Sequence, residues 1–274
     1  MSQRSLEVFY EPNRRLAHAH GLQGYNAGYA EARGVATFDQ YQRNLVWRLL
    51  GDVEIGPQST VLDVGCGIGG PSGWIYERYR PERLIGIEYC STSVRIAEER
   101  WAGKPHRPIF LQGDAHCLPV PDQSVDVIFN LESALHYADK RKFVSECLRA
   151  LKPGGVLCLG DITTRCKRTF AVLGTLNLLA SQFSTHARLW DAPDYLETFE
   201  SIGFQLIRHE RVTRQSADSL RDGLDEVSRG SNWSNARGYR GRFFYLWFME
   251  RLLRHRLLNY DLFALAKPRG GGTS

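Results

Sequence analysis

Short apolar runs alternate with helical patterns between residues 60 and 162, and this alternation constrains the fold more than any other feature of the chain. The runs have the length and the bounding glycines of buried strands, and most are followed by a stretch with helical periodicity. Such alternation predicts βαβ units and a Rossmann-like, doubly wound sheet that is mostly parallel. The predicted strands cover residues 61–65, 83–90, 108–115, 125–133 and 156–162.

The segments on either side of this core predict additions to the same sheet. The stripe of Phe38, Tyr41, Leu45 and Leu49 indicates an amphipathic helix over residues 35–50. Two late strands are expected to complete the sheet, with an antiparallel strand at its edge. Further elements predicted from periodicity are helices over 71–80, 91–101, 140–151, 169–183 and 192–203, and the late strands over 203–213 and 259–268. We divide the single catalytic domain into a helical N-terminal lid, a cofactor-binding core, and cap helices with the final strands, over residues 1–56, 57–165 and 166–274.

A glycine-rich turn from Gly65 to Gly70 closes the first strand and opens a helix. This arrangement lets the backbone approach a nucleotide-like cofactor closely. Taken alone the turn is ambiguous, because Gly65, Gly67 and Gly70 also fit the G-x-G-x-x-G of dinucleotide enzymes. Glu88 follows the second strand and could accept hydrogen bonds from a ribose diol in either case.

Two acids at predicted strand ends distinguish between these cofactors. A dinucleotide requires amides aimed at a pyrophosphate, whereas S-adenosylmethionine carries an ammonium, a carboxylate and a sulfonium but no phosphate. Asp63, just before Gly65, could meet its amino acid part directly or through water. Asp114, after the third strand, could accept a hydrogen bond from the adenine amino group. The acids therefore favour S-adenosylmethionine.

Four motifs in one order resemble the class I S-adenosylmethionine-dependent methyltransferases. They are VLDVGCGIGG (61–70), GIEYC (86–90), QGDAHCLPVPDQSVDVIFN (112–130) and LRALKPGGVLCLGD (148–161). The resemblance implies methyl transfer with S-adenosylhomocysteine as the product. A fifth piece, YNAGYA (25–30), resembles the lid segment of small-molecule members, with Ala30 where tryptophan is usual.

The resemblance and the acids together predict the cofactor site. Glycines 65, 67 and 69 would back the methionine part, Glu88 would hold the ribose, and Asp114 would border the adenine. The carbonyl of Asn130 would close the methionine side. The predicted cofactor-binding residues are Tyr25, Tyr29, Asp63, Gly65, Gly67, Gly69, Glu88, Tyr89, Asp114, Ala115 and Asn130.

A narrower resemblance is to O-methyltransferases of bacterial natural products and lipids, which carry an E-S-x-x-H-like segment after the fourth strand. Here it runs from Glu132 to His136, and Asp161 ends the next strand. A hydroxyl nucleophile must lose its proton, and histidine is the natural base near neutral pH. We predict His136 as general base, with Asp161 orienting it or binding the substrate hydroxyl. Glu132 is the second candidate, and Tyr137 stands where relatives often have a second histidine.

Several alternatives stay open at this stage. Asn130 to Ser133 also resembles an N-x-E-S segment of enzymes that methylate prenyl carbons, where Glu132 would take the proton, and N-methylation is a further alternative. A nicotinamide-dependent oxidoreductase is disfavoured by Asp114 and by the Pro-Gly-Gly turn at 153–155. An RNA-binding methyltransferase, or a binding module without activity, is disfavoured because no RNA-type aromatic motif is visible and the acids are present.

Composition bounds the partners. The net charge of +5 is mild, and its late excess from Arg237 to Arg256 is interpreted as a solvated face rather than a nucleic-acid surface. Aromatic residues at 243–248, with Phe183 and Trp190, favour a small apolar substrate of secondary metabolism. Cysteine and histidine spacings, including His18 and His20, predict no metal site. No leader or membrane-spanning segment is predicted, so we expect a cytoplasmic enzyme, with a homodimer as an open assembly state.

Overall fold

The computed structural model describes residues 24–165, 188–229 and 239–270. Within these ranges the strands are β1 (Thr60–Val64), β2 (Arg83–Glu88), β3 (Ile109–Gln112), β4 (Val125–Leu131), β5 (Leu151–Thr164), β6 (Gln205–Arg211) and β7 (Leu258–Ala266). The helices are α1 (Phe38–Leu50), α2 (Gly70–Tyr79), α3 (Ser91–Trp101), α4 (Lys140–Ala150), α5 (Ala192–Ile202), α6 (Thr213–Ser228) and α7 (Tyr239–Arg254). A short 3-10 turn covers Ala134–His136.

The seven strands form one sheet in the order β3-β2-β1-β4-β5-β7-β6. The first five are parallel, and β7 pairs antiparallel with both β5 and β6. The predicted Rossmann-like, mostly parallel sheet with antiparallel pairing at its edge is confirmed. The reversed strand itself lies one place in from that edge, because β7 is apolar and buried along nearly its whole length, whereas the polar β6 tolerates the exposed position.

Two local features depend on the folded chain. The Pro-Gly-Gly turn at 153–155 lies inside β5, after α4 has ended at Ala150. The register with β4 jumps there, from Val125↔Leu151 to Val127↔Val156, so the extra residues bulge and pairing resumes. At the start of α3 the N-cap is Cys90, and Ser91 is the first helical residue.

The order of the strands fixes where a ligand can bind. β1 has β2 on one side and β4 on the other. The direction in which successive strands are added across the sheet therefore reverses at β1. In doubly wound sheets ligands bind in the crevice at this switch point. The loops that follow β1, β2 and β4 therefore form the candidate site. The predicted stripe of α1 is buried against this core, as expected.

Several predictions fall outside the described residues, namely the helix over 169–183, Phe183, and the pair His18 and His20. The boundaries of the lid, core and cap also stay predictions. Among the helices that the structure describes, none combines the length and apolar character needed to cross a bilayer.

Candidate active site

Three of the four glycines in the turn share a left-handed backbone but face different surroundings. Their φ angles are 78° at Gly65, 56° at Gly67 and 77° at Gly69, which glycine adopts without strain. A Cβ on Gly65 would lie 2.3 Å from the Ser133 hydroxyl, and one on Gly69 would lie 2.7 Å from the Phe110 ring. A Cβ on Gly67 would meet nothing within 4 Å. Gly67 therefore borders open space, where a ligand can approach the backbone.

Glu88 lies against this turn, as the sequence predicts. One carboxylate oxygen accepts a hydrogen bond from the Gly67 amide at 3.0 Å, and the other accepts one from the Cys90 amide at 3.0 Å. The side chain is half-buried at the end of β2. Each oxygen keeps a second lone pair, so the carboxylate can also accept from a ligand diol.

The Asp63 side chain is buried beneath the surface of the candidate site. Its carboxyl is 2% exposed and accepts a hydrogen bond from the Ser72 hydroxyl at 2.5 Å. Burial raises the pKa of Asp63 to about 7, and the nearby charge of Glu88 adds to the rise. The hydrogen bond between Asp63 and Ser72 holds the first turn of α2 beneath the glycine turn.

Asn130 provides a buried acceptor without a partner. Its amide nitrogen donates to the Val64 carbonyl at 2.8 Å and lies within hydrogen-bond distance of the Ser133 and Tyr137 hydroxyls. The bond to a backbone carbonyl fixes which side of the amide is the donor. Its Oδ1 is buried and has no hydrogen-bond partner in the part of the chain that the structure describes. Such an orphaned oxygen is costly unless a donor arrives, and an ammonium or amide N–H would satisfy it.

The predicted adenine side is built around Asp114. Burial raises the pKa of this carboxyl, but hydrogen bonds from the His116 amide and ring outweigh it, so the net shift is downward. The ring contact measures 2.6 Å and uses one carboxylate oxygen, Oδ1. Ala115 is buried beside it, and Tyr89 is half-buried after β2. Asp114 is exposed, so a ligand amino group can reach its carboxylate.

The segment over residues 24–30 crosses the carboxyl edge of the sheet. The Ala27 amide donates to the Glu132 carboxylate at 2.6 Å. Further along, the Tyr29 amide donates to the Tyr41 carbonyl of α1 at 2.8 Å, and the Arg48 guanidinium lies 5.8 Å from the Tyr29 ring centre. Tyr25 is 38% exposed. The segment thus passes directly over the residue that follows β4, as a lid must.

Glu132 has a backbone conformation that its residue type rarely adopts. Its φ is 50°, in the left-handed region, and strain of this kind is concentrated at functional sites. The carboxylate accepts from the Tyr260 hydroxyl at 2.7 Å as well as from the lid. Burial raises the pKa of Glu132 to about 7, which outweighs both hydrogen bonds. Glu132 is therefore poised to exchange a proton near neutral pH.

His136 ends the short turn after β4, and both residues flanking that turn contact the glycine turn. Ser133 donates to the Val64 carbonyl at 3.1 Å and fills the space beside Gly65, where the Tyr137 hydroxyl also lies. The His136 amide donates to the Ser133 carbonyl at 3.0 Å, which closes the turn. His136 is half-buried. The structure thus brings the predicted base close to the predicted methionine side.

Asp161 lies beneath the same turn. It is fully buried and accepts a hydrogen bond from the Tyr195 hydroxyl at 2.6 Å. Burial raises the pKa of Asp161 to about 6, opposed by Lys140 and by the amides of Ile162 and Leu135. The described hydrogen bond of the carboxylate goes to Tyr195, and its charge acts on the Lys140 ammonium beside the turn.

The structure adds residues that the sequence prediction missed. His116 buttresses Asp114, Ser133 and Tyr137 pack the turn of His136 beside Gly65, and Lys140 donates to the Ala134 carbonyl of that turn. Tyr137 carried a signal, since it replaces the second histidine of similar enzymes. The other three are ordinary surface types whose roles depend on tertiary contacts. Within the described ranges, no group of three His, Cys, Asp or Glu side chains is arranged to hold a metal ion.

The buried acids predict an unusual dependence of stability on pH. The folded pKa values of Asp63 and Glu132 lie above their unfolded values, so the folded chain holds these protons longer than the unfolded chain. Their contribution is complete below about pH 4 and is lost as pH rises through about 7. We expect the Tm of the ligand-free protein to fall by about 5 °C between pH 5 and pH 8.

Calorimetric scans of the parent and of Asp63→Asn test this expectation. The variant should show a shallower fall in Tm over the same range, because it has no proton to lose at that position. Asp52→Asn, at an exposed position after α1, is the matched control and should follow the parent. A Tm that rises across this range in the parent would contradict the assigned direction.

The chain is similar to known methyltransferases in sequence and in structure. Residues 62–159 match a family model described as a methyltransferase domain. Erythromycin 3''-O-methyltransferase of Saccharopolyspora erythraea is 36% identical over half of this chain and 45% of its own length. The 2-methyl-6-phytyl-1,4-hydroquinone methyltransferase of Synechocystis is 34% identical over 54% of this chain and 46% of its own length. The chain thus aligns with less than half the length of both relatives.

A solved structure extends the likeness of the fold to nearly the whole chain. The crystal structure of the [4+2]-cyclase SpnF superimposes with a TM-score of 0.77 at 24% identity, covering 97% of this chain and 95% of SpnF. That similarity concerns the fold. The matched residues include most of β1, the glycine turn and Glu88. The chain is thus similar to methyltransferases, and its match to the methyltransferase domain covers residues 62–159.

Proposed function

We propose that the chain transfers the methyl group of S-adenosylmethionine to a hydroxyl of a small apolar molecule, such as a secondary metabolite or a lipid. The observation that carries this proposal is the turn of His136, whose flanking residues Ser133 and Tyr137 both pack beside Gly65. A base held in this way lies beside the region where the cofactor's methyl group is expected. The relative named erythromycin 3''-O-methyltransferase supports oxygen as the acceptor atom.

The residues at the turn fit the cofactor. Gly67 leaves open space at its α-carbon, Glu88 offers carboxylate oxygens to a diol, and Asn130 Oδ1 lacks a donor that an ammonium would supply. Bound there, the cofactor supplies an activated methyl group on a sulfonium. Asp114, Ala115 and Tyr89 would border its adenine, and Tyr25 and Tyr29 would cover it from the lid.

The protein's own part in the reaction is alignment and removal of one proton. In-line attack forms the oxygen–carbon bond as the carbon–sulfur bond breaks, and the hydroxyl proton passes to the His136 ring. Placing the reactants correctly is the largest contribution expected of such a site. Asp161 supports the turn of His136 through its charge on Lys140, and Glu132 holds the lid over the reacting groups.

A second candidate uses Glu132 as the base and a carbon as the acceptor. The strained backbone of Glu132 and its pKa of about 7 favour this role. The hydroxyl of the Tyr260 ring donates a hydrogen bond to the Glu132 carboxylate. An aromatic wall would stabilise a carbocation formed during methylation of an alkene. The hydroquinone methyltransferase relative supports a prenylated acceptor for this candidate.

An isotope-transfer screen tests the proposal. The chain is incubated with S-adenosylmethionine that carries a deuterated methyl group and with apolar alcohols, phenols, amines and prenyl compounds. We expect a deuterated methyl ether, with S-adenosylhomocysteine formed in equal amount. Label on carbon would instead support Glu132, and label on nitrogen would contradict both candidates. Cofactor binding with an acceptor rearranged but unlabelled would replace methyl transfer with a reaction like the cyclisation for which SpnF is named.

A further inference from the structure

The turn Ala134–His136 and its continuation are held by an unusual number of backbone contacts. The Lys140 ammonium donates to the Ala134 carbonyl. The Leu135 carbonyl accepts from the Arg188 amide at 2.7 Å, and the Ala138 carbonyl accepts from the Arg188 guanidinium at 3.3 Å. Carbonyls of a short turn are normally satisfied by water at the surface. Here protein groups from other parts of the chain hold them in place.

Lys140 has the least ordinary environment of these partners. It is 2% exposed, although lysine is almost never fully buried without a partner. It is also the first residue of α4, where the helix dipole disfavours a positive charge. Burial lowers the pKa of Lys140 to about 8, against the opposing charge of Asp161. Two unfavourable effects therefore meet at Lys140, the burial of its charge and its place at a helix N-terminus.

Two groups surround the Lys140 ammonium. Asp161 is fully buried and acts on Lys140 by its charge. Tyr195 fixes this carboxylate with a hydrogen bond of 2.6 Å. The Trp190 ring centre lies 5.9 Å from the ammonium. Lys140 thus holds the turn at the Ala134 carbonyl, while Asp161 acts on Lys140.

We propose that Lys140 is a positioning residue for the reaction, which acts with Asp161 to fix the turn that presents His136. Lys140 does not face the glycine turn itself, since its described hydrogen bond goes to the backbone of the intervening turn. The inference rests on the proposed role of His136. Loss of the ammonium should loosen the turn and scatter the direction of the imidazole, while the cofactor site stays intact.

Lys140→Met tests the inference, because methionine keeps an unbranched apolar stem and removes the charge and the donor. We expect kcat to fall at least about tenfold, while KM and the Kd of S-adenosylhomocysteine change less than about twofold. Hydrogen exchange of the peptide over 133–139 should become faster. Lys142→Met, at an exposed position two residues along the same helix, should change neither kcat nor the rate of hydrogen exchange over 133–139.

A double variant separates positioning from loss of folding. Lys140→Met leaves Asp161 without its compensating charge, whereas Lys140→Met with Asp161→Asn removes both charges. If the two act as a unit, the double variant should lose no more turnover than the worse single variant. If the losses of turnover in the two single variants multiply in the double variant, the proposed pairing is overturned. Lys140→Arg, which keeps charge and donors, should recover part of kcat.

The outcomes also separate this inference from the proposed function. Unchanged exchange at 133–139 in a folded Lys140→Met would overturn the role of Lys140 and leave His136 untouched. Faster exchange with unchanged kcat would also overturn the inference. In that case the activity of His136→Ala decides whether the proposed base has failed as well.

Discussion

His136→Ala is expected to lower kcat by about 100-fold or more, because general base catalysis is commonly worth about 10² to 10⁴ in rate. The Kd of S-adenosylhomocysteine should stay within about twofold, since the groups that fit the cofactor are Gly67, Glu88 and Asn130 rather than the histidine. Steady-state kinetics with the acceptor found by isotope transfer, together with titration calorimetry, measure both quantities.

Glu132→Gln is the matched control for that experiment. Glutamine keeps an oxygen that can accept from the Ala27 amide and from the Tyr260 hydroxyl, so the lid contact survives while the proton acceptor is lost. We expect this variant to keep most of the parent's kcat. The reverse pattern, with His136→Ala active and Glu132→Gln inactive, would contradict the assigned base and favour a carbon acceptor.

Gly67→Ala is expected to weaken S-adenosylhomocysteine binding by about 10- to 100-fold, the equivalent of an overpacking cost of about 1–3 kcal/mol. The new methyl group enters space that no protein atom fills within 4 Å, so the protein itself has little to clash with. If the cofactor fills that space, the clash appears only on binding. Titration calorimetry measures the loss of affinity.

Gly103→Ala controls for the backbone strain of this change. Gly103 has a φ of 75° and also has nothing within 4 Å of an added Cβ, but it follows α3, away from the carboxyl ends of the strands. Both variants should therefore lose a similar amount of Tm, and only Gly67→Ala should lose affinity. Equal affinities in the two variants would show that the space at Gly67 is not used by the ligand.

Local patterns predicted most of the sheet, because strand and helix periodicities in residues 60–162 agree with what the tertiary structure needs. The place of β7 could not be predicted in the same way. Its antiparallel insertion between β5 and β6 depends on which strand tolerates exposure, and that is decided only when both compete for the edge. The bulge at 153–155 likewise follows from pairing with β4.

The positions of site residues were predictable where those residues belong to a sequence motif. Glu88 and the glycines follow strand ends, and topology alone brings strand ends together. The separate functions of the glycines were hidden, because the packing of Ser133 against Gly65 and of Phe110 against Gly69 joins residues distant in sequence. Lys140 was hidden for the same reason, since only the folded chain shows that its ammonium is buried.

Titration of the ligand-free chain with S-adenosylhomocysteine, and separately with NAD, tests the central claim most directly. The claim is that the open space at Gly67, the Glu88 carboxylate and the unpaired Asn130 oxygen form an S-adenosylmethionine site. We predict saturable binding of one S-adenosylhomocysteine per chain, weakened in Gly67→Ala, and no heat of binding with NAD. Tight binding of NAD with none of S-adenosylhomocysteine would contradict the assignment.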